Sequence, residues 1–105
     1  MSGSPAFPLD PPAGSERYRR TPLFDAATVP AGLKRSHCTK AGVWAVIRVL
    51  GGRLTYRLEG EPGRELVLEA GQRVAAPPEA LHAVAPEGDV AFFVEFWRAP
   101  KPGAA

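Results

Sequence analysis

His37, Cys38, Thr39 and Lys40 occupy four consecutive positions in the stretch "HCTKAGVW": an imidazole, a thiol, a hydroxyl and an ammonium side by side. The chain has one further histidine, His82, and no further cysteine. Neutral imidazoles bind zinc, iron, nickel or copper, so His37 and His82 are the first candidates for a metal site. Two imidazoles do not complete such a site, because structural zinc takes four ligands and catalytic zinc three. Glu79 and Glu95 are the carboxylates that would extend the set. Glu79 stands three residues before His82 in a proline-rich turn. Glu95 lies between Phe93 and Trp97 on one face of "VAFFVEFW". A carboxylate in so apolar a strand needs a partner if it is buried. That partner is a metal, Arg48 or Lys40. Alternatively the Phe93–Glu95–Trp97 face points outward beside an arginine. Cys38 adjoins His37, and successive side chains of a strand point to opposite faces, so the two do not form a catalytic dyad. Thr39 shares the face of His37, Lys40 offers charge to an anion, and Trp44 fills the core or lines the pocket.

These side chains must be positioned by short strands. "GVWAVIRVL" (42–50) is almost continuously apolar and β-branched, as in a strand buried on both faces. "GG" (51–52) then predicts a tight turn. "RLTYRLE" (53–59) alternates, with Leu54, Tyr56 and Leu58 on one face. "RELVLEAG" (64–71) alternates again, and "EGD" (87–89) predicts another reversal before "VAFFVEFW" (90–97). Pro30 to Gly32 read as a turn. No stretch shows a helical period. Seven or so short strands at this spacing predict a β-sandwich or small barrel.

Composition narrows the function classes. The 105 residues suit one domain of ordinary globular make-up, 45% hydrophobic and 23% charged. Twelve prolines and eleven glycines disfavour long helices. One cysteine excludes an internal disulfide and a thiolate zinc site, which favours a reducing, cytoplasmic setting. The N-terminus lacks the basic and apolar regions of a secretory signal, and no apolar run spans a bilayer. The net charge is only +2, and of the basic residues only Arg17, Arg19 and Arg20 cluster, so nucleic acid is not an expected partner. Residues 1–16, rich in Pro, Gly, Ser and Ala, read as a flexible arm, 17–98 as the domain and 99–105 as a loose tail.

Two motifs extend this reading. Gly71, Pro77, Glu79 and His82 match the spacing of the second cupin motif, with Glu79 in place of its middle glycine. "VLGGRLTY" resembles the turn that ends the first cupin motif, with Gly52 as its glycine. Ala45 stands where that motif has a glutamate, and His37 and Thr39 stand near its two histidines. "HCTKAGVWAVIRVLGGRLTYRL", "PPEALHAV" and "DVAFFVEFWR" together resemble the small cupin-like domain associated with tellurite resistance, over about Tyr18 to Arg98. That domain occurs alone and fused to tellurite-resistance methyltransferases. The resemblance implies an all-β, single-domain, cupin-like double-stranded β barrel (a jelly roll). This chain has no glycine-rich strand–turn–helix unit for a methyl donor.

The expected protein is therefore a small cupin-like domain with a divalent metal (zinc, iron or nickel) and a small or anionic ligand in the barrel mouth. Its expected role is in tellurite or oxidative-stress tolerance. The candidate metal ligands are His37, His82, Glu79 and Glu95, and the candidate ligand-binding residues are Thr39, Lys40 and Trp44. The alternatives are a metal-free binding or interaction module and a small metal-dependent dioxygenase or isomerase. Pairing into a homodimer is a further expectation.

Overall fold

The computed structural model describes residues 7–60 and 63–100. Its elements are β1 (Glu16–Arg20), α1 (Ala31–Lys34), β2 (Val43–Leu58), β3 (Arg64–Glu69), β4 (Arg73–Ala76) and β5 (His82–Arg98). The protein is all-β apart from α1, which spans four residues. Among the described residues no helix is long and apolar enough to cross a membrane.

The backbone of the fold is one long antiparallel ribbon. β2 has 16 residues and β5 has 17, and they pair from Val43↔Arg98 to Leu58↔His82. β1 flanks the second half of β5. On the other side of β2, β4 pairs with residues 45–48 and β3 with residues 53–58. All strands belong to one antiparallel sheet.

The two reversals expected at Gly51–Gly52 and at Glu87–Asp89 do not occur, and the described residues form five strands in place of the expected seven or so. Both glycine-rich stretches lie inside strands, where the ribbon creases. Gly52 has φ +69°, and a Cβ there would stand 2.6 Å from the Val90 Cα. The close approach of the two strands and the left-handed backbone both require glycine. The register slips on either side of Gly51, which changes the side-chain parity of β2. Ala45, Ile47 and Val49 face the core before the crease, and Leu54 and Tyr56 face it afterwards. The two halves of the sheet thus share one core with Val74, Val84, Val90, Phe92 and Val94.

Connections complete the enclosure. The Pro30–Gly32 turn is the start of α1, which packs Leu33 against the core. Phe24 exchanges two backbone hydrogen bonds with Phe92 (2.7 and 3.0 Å), carrying residues 21–24 along β5. Part of the N-terminal arm also contacts the domain. Phe7 meets Tyr56 edge-on at 5.8 Å, the Ala75 N–H donates to the Pro8 carbonyl at 2.8 Å, and Arg73 donates to both oxygens of Asp10. Residues 1–6 of the expected arm, and 101–105 of the expected tail, lie outside the described residues.

Candidate functional site

His82 opens β5, and His37 lies in the segment laid antiparallel beside it. Each residue's backbone N–H donates to the other's carbonyl at 2.9 Å, which fixes the two Cα atoms opposite one another. The rings meet edge to face, with centroids 4.2 Å apart. The Nδ1 of His37 is 2.9 Å from the Arg35 carbonyl oxygen, and the Nδ1 of His82 is 3.0 Å from that of Ala80. A carbonyl only accepts, so Nδ1 carries the proton in both rings and the neutral ring keeps its lone pair on Nε2. Backbone carbonyls orient metal-binding histidines in this way. Burial pushes the His82 imidazole below its ordinary pKa; the Ala80 carbonyl opposes this and the nearby His37 adds to it. His82 is therefore held neutral, the form that ligates.

Both histidines line a cavity of about 750 Å³ between the halves of the sheet. Its walls are apolar, and it opens to solvent past Lys40, Cys38 and Thr39. Cys38 is a free, exposed thiol. Thr39 and Lys40 build the turn into β2. The Thr39 hydroxyl donates to the Val43 carbonyl at 2.6 Å, the Lys40 carbonyl accepts from the Val43 N–H, and Gly42 supplies a φ of +77°.

The other sequence candidates lie elsewhere. Glu79 is exposed, with φ +64°, the left-handed backbone that suits the glycine it replaces. Its N–H donates to the Thr39 carbonyl at 3.1 Å, so its main chain braces the turn that carries Thr39, while its side chain does not line the cavity. Glu95 is 4% exposed but sits on the opposite face of β5 from Val94 and Phe96, which line the cavity. Its carboxylate accepts from Arg48 Nε (2.9 Å), Arg17 Nη1 (3.0 Å) and the Trp97 indole (3.2 Å). Burial alone would raise its pKa, but the hydrogen bonds from Arg48, Trp97 and Arg17 outweigh burial and hold it below the ordinary value. Arg48 was legible as a partner from the sequence, whereas Arg17 and Trp97 were not. Trp44 pairs with Trp97 on that same outer face, away from the cavity. Among the described residues no third His, Cys, Asp or Glu joins the histidine pair.

One buried group beside the pair escaped the sequence reading. Tyr56 is fully buried, with its ring 5.7 Å from that of His82. Its hydroxyl makes no hydrogen bond among the described residues, and burial pushes the phenol up to about 12, against a small opposing pull from Arg64. A buried tyrosine at an alternating strand position reads as ordinary core, so nothing in the sequence set it apart.

A creased antiparallel sheet around one core, with a histidine pair on its inner face, defines a small single-domain all-β protein. The chain belongs to the TehB-like domain family, which matches residues 19–94. It is 33% identical over 92 residues to the uncharacterized protein YeaR of Escherichia coli K12, covering 79% of this chain and 77% of that protein. A crystal structure of a protein from Escherichia coli K12 superposes with a TM-score of 0.81 at 29% identity, covering 89% of this chain and 99% of the other. TehB from Haemophilus influenzae superposes at 0.74 with 22% identity, covering 81% of this chain and 32% of TehB. The shared fold thus accounts for about a third of that longer protein.

Proposed function

We propose that this chain is a small metal- and ligand-binding domain. His37 and His82 hold one divalent ion (zinc, iron or nickel) through Nε2, and the remaining coordination positions go to solvent and a small ligand in the cavity. The observation that carries this reading is the histidine pair itself, with ring centroids 4.2 Å apart and both Nδ1 atoms occupied by backbone carbonyls, which leaves the Nε2 lone pairs free to ligate. Two imidazoles are one protein ligand short of the three that an open catalytic zinc site takes, so solvent and the bound ligand would have to complete the shell. When bound, the ion would supply Lewis acidity to whatever ligand completes its shell. The protein's own part is to fix the two imidazoles, keep His82 neutral and surround the ligand with apolar walls. The role we assign is tolerance of tellurite or oxidative stress in the cytoplasm.

That no third His, Cys, Asp or Glu joins the pair among the described residues favours a second reading, a metal-free binding module that uses the same cavity. A two-histidine, one-carboxylate iron centre is poorly served here, because Glu95 is engaged by two arginines on the far face and Glu79 is exposed outside the cavity. Calorimetric titration of zinc into protein without a histidine tag separates the readings. His37→Ala and His82→Ala should each abolish or sharply weaken uptake, and Glu95→Gln should leave it unchanged. Uptake that survives both histidine substitutions would remove the metal from the account.

A further inference from the structure

We infer that the cavity takes an organic anion with an extended apolar body, such as a medium-chain carboxylate, and not a bare inorganic oxyanion. The inference rests on reading the cavity as a binding site but not on the metal. Size is the first argument. A volume of about 750 Å³ falls within the range of sites for drug-sized ligands, on the order of 300–1,000 Å³. A small oxyanion would leave most of it unfilled. The wall is the second. The half-buried Leu33, Val43 and Phe96 line it over a floor of the buried Ile47, Phe92 and Val94. Such a surface offers nothing to a hydrated inorganic ion, whereas each methylene buried against it contributes.

Charge is the third argument. Among the described residues no Asp or Glu lines the cavity. The neighbouring carboxylates are engaged or turned away: Glu95 lies on the opposite face, Glu59 accepts from the Ser36 hydroxyl, and Glu79 is exposed on its turn. Three cationic residues along the cavity are solvent-exposed, Lys40, Arg19 and Arg20. The Arg19 guanidinium stands 6.0 Å from the centroid of Phe96, a wall residue. Arg20 turns away, its guanidinium 4.2 Å over Phe93 on the outer face. An anionic head can therefore pair with Lys40 or Arg19 while staying close to water, so it avoids the cost of full charge burial. The body of the ligand lies inside against the wall.

The test is calorimetric titration of octanoate, hexanoate, acetate, 1-octanol and tellurite into untagged protein, with and without prior chelation. Octanoate should bind, and hexanoate more weakly by about fourfold for each methylene removed. Acetate and tellurite should bind at least tenfold more weakly than octanoate. Octanol, which has the tail without the charge, should also lose at least tenfold. Lys40→Glu and Arg19→Glu lie at exposed positions that tolerate charge reversal, and together they should weaken octanoate at least tenfold. The inference is overturned if tellurite or acetate matches octanoate, if octanol matches octanoate, or if none of the five binds. Zinc uptake measured separately on the same preparations shows whether the metal reading stands or falls, whichever way the organic acids behave.

Discussion

At the scale of single residues, three side chains carry different burdens. Glu95 is a buried carboxylate neutralised on the spot, held by Arg48, Arg17 and the Trp97 indole. Its pKa is lowered by folding from an ordinary 4.5, so its contribution to stability is present above that pH. That contribution is lost as the pH falls through the lower, folded-state value. Glu95→Gln should flatten this acid limb and cost about 1–3 kcal/mol near neutral pH, towards the lower end because both arginines are partly in water. Urea unfolding followed from pH 7 to pH 3 reads both effects. Tyr56 presents the opposite case, a buried hydroxyl with no hydrogen bond among the described residues. An unsatisfied buried group costs about 1–3 kcal/mol, so Tyr56→Phe should raise the unfolding free energy by up to that amount. A loss of stability would mean that the hydroxyl is bonded in solution.

At the scale of elements, the crease in the β2–β5 ribbon decides which side chains meet. Gly52 and Gly51 are adjacent yet should respond differently. Alanine at Gly52 meets a positive φ and the Val90 backbone at 2.6 Å, and should cost more than about 2 kcal/mol. Alanine at Gly51 meets nothing within 4 Å and should change stability by less than about 1 kcal/mol. Thermal unfolding of the two variants compares them directly. The strands themselves were legible, because alternation marks Leu54, Tyr56, Leu66 and Leu68 without ambiguity. The crease was not, since a glycine pair between apolar runs reads equally well as a hairpin turn, and only the partner strand decides between them. Trp44 shows the same limit. Its strand is apolar on both faces, so periodicity could not say that Trp44 would face Trp97 and not the cavity. The histidine pair was legible as two positions bound for one pocket. Their backbone bridge depends on a pairing some 45 residues apart in sequence, which no local pattern encodes.

At the scale of the whole molecule, a single sheet folds over one core and leaves a cavity with apolar walls, a histidine pair and exposed cations at its lining. The TehB-like family shares this fold, alone or as part of a longer chain such as TehB. The central claim is that two Nε2 lone pairs converge on one divalent ion. The chain contains only two histidines, so an untagged sample labelled with nitrogen-15 gives just two imidazole patterns in a long-range nitrogen–proton correlation spectrum. The geometry predicts that both rings carry their proton on Nδ1 before metal is added. One equivalent of zinc should then shift both Nε2 resonances together and leave both Nδ1 protons in place. Protons on Nε2 in the free protein, or Nε2 resonances unmoved by zinc, would contradict the account.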